Sequence, residues 1–408
     1  MKKPELLAPA GNLEKLKIAV DYGADSVYLG GKRFGLRAGA ANFTLEELVE
    51  GVTYAHERGR RVYVTVNIFA HNEDLEHVKE YLLELQNCKV DGVIVSDPGV
   101  LDIALKTIPS IPIHLSTQAN CTNISSALFW ERAGAARIIL ARELSLKEIR
   151  EIRQGLSIPV EAFIHGAMCV SYSGRCILSS VMTGRSANKG DCSHPCRWEY
   201  YLMEKKRPGH YYPVGEDNDG TYILNANDLC MIQYIPQLFE AGIDSFKIEG
   251  RMKSVHYAAS VVRTYRQAID SYIEDPHGWI CRGEWLEELE KVSHRRYSTG
   301  FYFGKPTAHD FTYDDSKYMR SHKFIGKILN YNQRTGMALV EQRNKFSVGD
   351  IVEIFGPTGD PFRFKIDEIW DEEGKSIFSA PHPKQKVHIP LDTPVNKNYL
   401  LRKKSKVE

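Results

Sequence analysis

The chain has 408 residues, with 53 Lys and Arg against 52 Asp and Glu, and 43% of its residues are hydrophobic. This length predicts two or three domains, each large enough to bury a hydrophobic core without stabilising disulfide bonds. The composition excludes an intrinsically disordered chain, and the net charge of +1 argues against binding nucleic acid through bulk positive charge alone.

The sequence contains no apolar run long enough for a membrane helix, and its N-terminal apolar stretch is too short and interrupted for a signal peptide. We therefore expect a cytoplasmic protein that makes no membrane contact. In that reducing compartment the eight cysteines are more readily metal ligands or redox groups than disulfides.

Short β-branched runs alternate with amphipathic segments over the first 250 residues. Parallel strands need helical crossovers, so this alternation predicts a parallel sheet, and eight strands favour a closed (β/α)8 barrel of the TIM type over an open doubly wound sheet. The predicted strands are Glu5–Ala8, Ser26–Leu29, Arg61–Asn67, Gly92–Ser96, Ile113–Ser116, Arg137–Leu140, Pro159–Ile164 and Ser245–Glu249. The predicted helices include Leu13–Tyr22, Leu45–Arg58, Leu75–Leu85, Ser125–Ala133, Leu146–Gln154 and a closing helix at Val255–Ile273.

The loops that follow the predicted strands are polar and rich in glycine. In a (β/α)8 barrel the active site lies where the strands end. The simpler interpretation is that Asp97 and Ser145 cap helices and the glycines form turns. As a set, the loops favour a ligand-binding rim. Their segments are 9–11, 30–31, 67, 96–99, 116–120 with Gln118, 142–143 with Arg142, and 249–251 with Glu249 and Arg251.

One connection is unusually long, since an insertion over about residues 165–230 separates the seventh strand from the next helical pattern near Met231. Loops of this length are usually functional or disordered, and this one is rich in Cys, His, Arg and aromatic residues. The barrel with its insertion is predicted to occupy residues 1–275, followed by a helical and irregular connector over 276–319.

Residues 320–408 have a different character, because short alternating runs separated by turns predict a small antiparallel β-barrel. This region holds 16 basic and 11 acidic residues, against 37 and 41 in the rest of the chain, so it is a candidate for RNA contact. The basic tail at 402–406 is either a solvated end or a source of phosphate contacts. The predicted strands are Phe324–Leu329, Met337–Glu341, Ile351–Phe355, Phe362–Trp370 and Val387–Ile389.

Four cysteines fall within 28 residues of the insertion, at Cys169, Cys176, Cys192 and Cys196. Four thiolates hold either a tetrahedral zinc ion or a [4Fe–4S] cluster. Zinc sites usually use tight C-x2-C pairs, so the C-x6-C-x15-C-x3-C spacing favours the iron–sulfur cluster.

Two histidines flank the four cysteines. His165 ends the predicted seventh strand, which makes it a candidate catalytic residue, although a lone histidine is more often structural. His194 lies inside the C-x3-C loop and is an alternative metal ligand.

At these residues the sequence resembles the peptidase U32 family. The signature segments are 161–169 (EAFIHGAMC), 172–176 (YSGRC) and 191–200 (DCSHPCRWEY). The similarity begins near the N-terminus, runs through the barrel and continues into the small domain. The further matching segments are 5–11 (ELLAPAG), 24–30 (ADSVYLG), 178–179 (LS), 245–251 (SFKIEGR) and 345–350 (KFSVGD).

Within this family the chain is most similar to members that hydroxylate tRNA. The resemblance implies an oxygen-independent hydroxylation of the wobble uridine to 5-hydroxyuridine, with tRNA as partner and no indication whether a partner protein takes part. It also implies a [4Fe–4S] cofactor and a small carboxylate cosubstrate, prephenate, as the oxygen source. The implied cluster ligands are Cys169, Cys176, Cys192 and Cys196, with Cys230 as an alternative to one of them.

A carboxylate-rich cosubstrate needs a positive clamp, and three cations stand at predicted strand ends: Arg142, Lys247 and Arg251. Arginine forks match carboxylates bidentately, and Glu249 would then act as acid or base. The alternative is that the two arginines form structural salt bridges.

The family's name records a second reaction, peptide hydrolysis, which stays an alternative. A peptidase needs an activated nucleophile or a hydrolytic metal site, and the sequence contains neither G-x-S-x-G nor H-E-x-x-H. Cys169 near His165 imitates a Cys–His pair, but three further thiols fit metal ligation better. A zinc-stapled RNA-binding protein without catalysis is the weaker third hypothesis.

Overall fold

The computed structural model describes residues 2–35, 41–168, 178–185, 187, 191–195, 201–202, 208–209, 212–213, 225–304, 311–312 and 319–405. Most of the predicted insertion, including Cys169, Cys176 and Cys196, lies outside the described residues. Within the described ranges, no helix combines the length and the apolar character that crossing a bilayer requires.

The N-terminal region contains fourteen described strands, and their bounds are as follows. They are β1 (Glu5–Pro9), β2 (Ser26–Gly30), β3 (Arg61–Val66), β4 (Gly92–Val95), β5 (Ile113–Leu115), β6 (Arg137–Ile139), β7 (Val160–Ala167), β8 (Tyr201–Leu202), β9 (Tyr212–Pro213), β10 (Asn225–Ala226), β11 (Asp228–Cys230), β12 (Ser245–Ile248), β13 (Tyr297–Ser298) and β14 (Phe311–Thr312).

Eight of these strands close into a parallel barrel, which confirms the predicted fold. The strands pair in the order β12, β1 to β7, and β12 pairs again with β7 to complete the circle. All eight predicted strands are present, with ends that differ by one to three residues. Nearly every strand residue is buried, as parallel strands covered on both faces require.

Helices cover the outside of the barrel and pack against the strands they follow. The predicted caps are confirmed, since the Asp97 side chain accepts a hydrogen bond from Val100 N and the Ser145 hydroxyl accepts one from Glu148 N. The helices are α1 (Leu13–Asp21), α2 (Leu45–His56), α3 (Asn72–Asn87), α4 (Pro98–Thr107), α5 (Ile124–Arg132), α6 (Leu146–Gly155), α7 (Leu178–Thr183), α8 (Ile235–Glu240), α9 (Val255–Glu274) and α10 (Gly283–Glu290).

Two strands that the sequence pattern did not predict extend the barrel sheet beside β7. Strand β11 pairs antiparallel with the end of β7, so that Cys230 lies opposite His165. Strand β13 then pairs in parallel with β11. The segment around Tyr297 was expected to be irregular, but this pairing gives its backbone hydrogen-bond partners.

The small domain is a six-stranded antiparallel sheet that forms a half-barrel around its own apolar core, in the order β19, β18, β22, β15, β16, β21, with β17 and β20 paired separately. It matches the predicted antiparallel domain, although the predicted strand at Phe362–Trp370 ends at Lys365. The strands are β15 (His322–Asn332), β16 (Met337–Gln342), β17 (Phe346–Ser347), β18 (Ile351–Phe355), β19 (Phe362–Lys365), β20 (Ser379–Ala380), β21 (Lys386–Pro390) and β22 (Leu400–Lys404).

The described start of the basic tail is part of the sheet, because Leu400–Lys404 is an interior strand between β18 and β15. Arg402 is fully buried between the two domains. Its two terminal nitrogens each lie 2.6 Å from an oxygen of Glu288, and its Nε lies 2.9 Å from Glu353. Arg402 therefore joins the small domain to α10 and is not available to a phosphate.

Further polar contacts attach the small domain along α1. Near the start of this helix, Glu14 forms ion pairs with Lys327 and Arg343. At its other end, the Tyr22 hydroxyl donates to the carbonyl of Asn398 at 2.9 Å. Since the small domain is held at both ends of α1, its orientation relative to the barrel is determined.

Candidate active site at the barrel mouth

The carboxyl ends of the eight barrel strands form one rim, and the predicted polar loops surround it. We call this rim the barrel mouth and define it by Gln118, Arg142, Glu249 and Arg251, which follow β5, β6 and β12. Parallel strands bring their carboxyl ends to the same edge, so side chains far apart in the sequence become neighbours there.

Arg142 and Glu249 form an ion pair at the mouth, with 3.2 Å between Nη2 and Oε2. Nη1 of Arg142 also donates to the carbonyl of Ala167 at 3.3 Å, and its guanidinium lies 4.0 Å from the centre of the Phe163 ring. The salt bridge that was the alternative for the arginines is thus present at Arg142. These contacts hold the guanidinium in place at the entrance.

Arg251 is buried beside the same entrance, and its Nη1 donates to the Thr65 hydroxyl at 3.2 Å. A methyl group on Gly30 would lie 2.5 Å from that nitrogen, closer than any carbon–nitrogen contact allows. A side chain at position 30 would therefore displace the Arg251 guanidinium, which approaches the backbone at the end of β2. Gly30, which the sequence pattern assigned to a turn, therefore leaves room for the Arg251 guanidinium at the mouth.

Gln118 lies in a 3-10 turn, Thr117–Ala119, that follows β5, and it is buried. The Ser116 hydroxyl accepts hydrogen bonds from the Gln118 backbone and from the Asn67 side-chain amide, both at 3.3 Å. Ser96 donates to the carbonyl of Asn67 at 3.0 Å. These hydroxyl and amide groups tie together the loops after β3, β4 and β5.

Lys247 lies deeper in the barrel, where its ammonium is 2.6 Å from Glu161. Arg137 contacts the other Glu161 oxygen at 3.0 Å and also Glu5 at 2.6 Å, and all four side chains are buried. Burial alone would raise the pKa of Glu161, but Lys247 and Arg137 outweigh burial and hold it below its usual value. Lys247 is committed to a buried ion-pair network that the sequence did not reveal.

Two aromatic rings connect Lys247 with the mouth. The ammonium lies 4.3 Å from the centre of the Tyr28 ring and 5.4 Å from that of Phe163. The same rings contact Arg251 and Arg142 respectively. The cosubstrate-binding role of Lys247 stays a prediction.

His165 does not share the environment of Glu249, although the Glu249 N–H donates to the His165 carbonyl at 2.8 Å. Its imidazole contacts the rings of Tyr257 and Tyr265 on α9, outside the barrel wall, and is 1% exposed. Burial, opposed only in part by the Asp228 carboxylate, lowers the pKa of His165 to about 3. The imidazole is therefore neutral at physiological pH, and its catalytic role stays a prediction.

A buried polar cluster that was not predicted from the sequence surrounds His165. Asp228 on β11 forms an ion pair with Arg295 at 2.8 Å, and Lys253 lies 3.8 Å from the same carboxyl group. The stacked rings of His294 and Tyr297 complete it, with centroids 4.5 Å apart. Its members come from β11, the loop after β12 and the segment that leads into β13, so no local motif could have indicated it.

Of the cysteines proposed as ligands, the structure describes Cys192 and Cys230. Cys192 is partly exposed, and its sulfur accepts a hydrogen bond from the His194 backbone at 3.4 Å, as the sulfurs around an iron–sulfur cluster commonly do. Cys230 is buried with its sulfur 3.9 Å from the Tyr265 hydroxyl. Burial raises the pKa of the Cys230 thiol to about 11, which disfavours the thiolate that a metal needs.

The described residues of the insertion contain no group of three or more His, Cys, Asp or Glu side chains placed to hold a metal, and the same is true of the rest of the described chain. Cys169, Cys176 and Cys196 lie outside the described residues. Strand β7 runs from the barrel wall to Ala167, two residues before Cys169. The donor set of thiols in the sequence suits an iron–sulfur cluster, and Cys192 is consistent with that role.

Comparison with known proteins places the chain in a family. The family model described as "Peptidase family U32" matches residues 11–312, and its companion for the U32 C-terminal domain matches residues 320–402. The chain belongs to peptidase family U32. The two matches follow the barrel and the half-barrel, so both structural domains are parts of the family architecture.

Relatives cover almost the whole chain. The "tRNA hydroxylation protein P1" of Bacillus subtilis is 46% identical over 98% of this chain and 95% of its own length. The "tRNA hydroxylation protein P" of Escherichia coli is 36% identical over 98% and 96%. A protein of Methanocaldococcus jannaschii named "Uncharacterized protease" is 43% identical over 87% of both chains.

Proposed function

We infer that this protein is a tRNA hydroxylase that converts the wobble uridine to 5-hydroxyuridine, with prephenate as the oxygen donor and a [4Fe–4S] cluster as cofactor. The observation that carries this proposal is the 46% identity to a tRNA hydroxylation protein over nearly the full length of both chains. Prephenate and the cluster are finer parts of the proposal, which the chemistry of the mouth and the cysteines supports. The wobble uridine is a further part, which comes from the resemblance to the family.

The mouth suits a small dicarboxylate because two arginines stand beside it with fixed orientations. Arg142 is held by Glu249 and Ala167, and Arg251 by Thr65. A guanidinium that is already immobilised loses little conformational entropy when it binds a carboxylate. Prephenate carries two carboxylates, so one for each arginine accounts for the pair.

Glu249 is the group at the mouth best placed to move a proton. Its carboxylate lies 3.2 Å from Arg142, so a cosubstrate carboxylate that binds Arg142 also changes the charge environment of Glu249. The backbone of Glu249 is fixed by the Tyr257 hydroxyl, which donates to its carbonyl at 2.7 Å. We propose that Glu249 acts as acid or base beside the bound cosubstrate.

Hydroxylation of a base replaces C–H by C–OH and removes two electrons, which the prephenate that gives up its oxygen atom would accept. This transfer needs a redox group. A [4Fe–4S] cluster supplies one-electron chemistry when bound. The ligands would be Cys169, Cys176, Cys192 and Cys196. Cys230 is the weaker alternative because its thiol is buried against Tyr265.

Anaerobic purification tests the cofactor. We expect about four iron ions and four sulfide ions per chain, and a broad absorbance band at about 400 nm that bleaches on reduction. Zinc alone, or no metal after anaerobic reconstitution, would reject the iron–sulfur proposal.

Mass spectrometry of tRNA nucleosides tests the reaction. A strain that lacks the gene should lose 5-hydroxyuridine, the wild-type gene should restore it, and the Glu249→Gln variant should not. Lysine at position 365 is exposed and lies on the small domain, so Lys365→Gln serves as the matched control that restores the nucleoside.

Peptide hydrolysis remains the alternative. At the mouth, the Ser96 and Ser116 hydroxyls both bond to Asn67, a partner that cannot activate them as nucleophiles. Hydrolysis of a gelatin substrate by purified protein that survives in the Glu249→Gln variant, together with unchanged tRNA nucleosides in the deletion strain, would favour the peptidase.

A further inference from the structure

One end of the small domain presents a group of cations beside the barrel mouth. We call this group the basic edge and define it as Arg320, Lys323, Lys345, Lys403 and Lys404. Lys323 and Lys403 stand directly opposite each other on β15 and β22, and Lys404 is the next residue along β22. Lys345 follows a turn that Asn344 holds against the same strand end, through its 2.7 Å hydrogen bond to the carbonyl of Phe324.

The basic edge has more positive charge than its surroundings neutralise. Lys403 lies 2.7 Å from Asp350. In the described parts of the chain, no carboxylate lies within ion-pair distance of Lys323, Lys345 or Lys404, and all three are exposed. Like charges directly opposite each other on paired strands are destabilising, and among the described residues Lys403 has a carboxylate partner whereas Lys323 has none.

Two short routes connect the small domain to the mouth, and the second passes through Arg320 of the basic edge. On the first, the Lys15 ammonium donates to the carbonyl of Arg251 at 3.2 Å, and the preceding residue, Glu14, forms ion pairs with Lys327 and Arg343 of the small domain. These contacts place the start of α1, the mouth and the small domain side by side.

On the second route, Lys253, two residues after Arg251, donates to the carbonyl of Ser293 at 3.0 Å. The Ser293 hydroxyl in turn accepts a hydrogen bond from Arg320 at 3.2 Å. The basic edge is therefore attached to the loop that follows β12, at the same end of the barrel as the candidate active site.

The basic edge is also held rigidly. Arg402, which precedes Lys403 and Lys404, is fully buried in its ion pairs with Glu288 and Glu353. The backbone of Ser405 donates to the carbonyl of Ser321 at 2.8 Å, which ties the end of β22 to the start of β15. Cations at fixed positions in a row suit a polymer with regularly spaced phosphates.

We propose that the basic edge binds the phosphate backbone of the RNA whose target nucleotide enters the mouth. This assignment rests on the proposed function and adds to it the surface that holds the substrate. It also narrows the RNA contact expected of the small domain and its tail, because Lys403 and Lys404 take part together with Lys323 and Lys345, whereas Arg402 is excluded by burial.

The test compares two triple variants of the full chain that lose the same charge. The first is Lys323→Gln/Lys345→Gln/Lys404→Gln. The control is Arg334→Gln/Lys375→Gln/Lys397→Gln, three exposed cations of the small domain outside the basic edge. Arg334 lies in the turn at the far end of β15, and Lys397 precedes Asn398, which contacts Asp21 at the far end of α1. Thermal unfolding confirms that both variants are folded.

Binding of fluorescently labelled, unfractionated bacterial tRNA is measured between about 50 and 200 mM salt. Each phosphate contact contributes about 0.7 to 0.9 to the slope of log K against log salt, so the first variant should lose about 2 from the slope and bind about tenfold more weakly or worse. The control should keep the wild-type slope.

The outcomes separate this proposal from the proposed function. If wild-type protein binds tRNA and the first variant keeps both the affinity and the salt slope, the proposal that the basic edge binds RNA is overturned. The tRNA-directed function then stands. Equal losses in both triple variants would also overturn it, because they would indicate a response to net charge alone. Failure of the wild-type protein to bind tRNA at any salt concentration would overturn both proposals.

Discussion

The buried arginine between the domains gives the sharpest stability prediction. In Arg402→Met, the guanidinium is replaced by an apolar side chain, while Glu288 and Glu353 stay in place without their main partner. Removal of one member of a buried ion pair costs about 3 to 5 kcal/mol. Lys291 remains 3.3 Å from Glu288 and 3.1 Å from Glu353, so we expect the lower end, about 3 kcal/mol.

The loss of unfolding free energy in Arg402→Met should depend on pH, and the direction of this dependence follows from the pKa of the carboxyl groups. Burial raises the pKa of Glu288, but Arg402 and Lys291 outweigh it, so the net pKa lies below the usual value. A carboxyl group with a lowered pKa stabilises the fold above its unfolded value, about 4.3, and loses that contribution as the pH falls through its folded value. The effect of Arg402→Met should therefore be largest near neutral pH and shrink in acid.

Urea denaturation at pH 7 and at lower pH measures this effect. Far-UV circular dichroism and tryptophan fluorescence are followed together, because two-domain chains need not unfold in one step. Lys106→Met is the control, since Lys106 forms an exposed pair with Asp102 at 2.6 Å and such pairs contribute at most about 1 kcal/mol. In Arg402→Met/Glu288→Met, part of the lost stability should return, because an apolar pair leaves one fewer unpaired charge.

If Arg402→Met destabilises the protein no more than Lys106→Met does, the buried ion-pair argument is wrong. A loss of about 3 kcal/mol that is the same at every pH would instead assign the effect to packing against Phe355, whose ring centre lies 4.3 Å from the guanidinium.

Three further predictions concern the barrel. His165→Phe should weaken the pH dependence of stability by about 1.4 kcal/mol per pH unit between about pH 3 and 6.5, because a neutral buried histidine with a lowered pKa destabilises the fold as the pH falls; an unchanged urea-midpoint profile would contradict this. Gly30→Ala should lower the rate of tRNA hydroxylation about a hundredfold by displacing Arg251, whereas Gly283→Ala, where a methyl meets no atom within 4 Å, should not. Cys230→Ser should keep the iron content measured after anaerobic purification, and Cys192→Ser should lose it; the reverse result would make Cys230 the ligand.

The fold class followed from local pattern, and so did the rim that holds the candidate site. Alternation of β-branched runs and amphipathic helices is a short-range property, so it indicated eight strands, their helices and the rim where the strands end. The polar segments after β5, β6 and β12 were all found at that rim. Their partners were not predictable, because the contact between Arg142 and Glu249 joins residues 107 positions apart.

His165 shows where alternation fails. Glu161 and Phe163 point into the barrel, and a regular strand would place His165 on the same face. The pairing of β7 with β12 instead shifts its register between Lys247 and Ile248, and the imidazole contacts α9. A bulge of this kind redirects a side chain without leaving a signal in the sequence of its own strand.

Local sequence was enough to predict the barrel, the antiparallel small domain, the cysteine cluster and the resemblance to peptidase family U32, because each depends on residues close together in the chain or on a motif. Which charges are available depended on folding. It buried Arg402 and Lys247 in ion pairs and left Lys323, Lys345 and Lys404 exposed beside the mouth. A charge is neutralised or free according to the groups that folding brings to it, and those groups come from other elements of the chain.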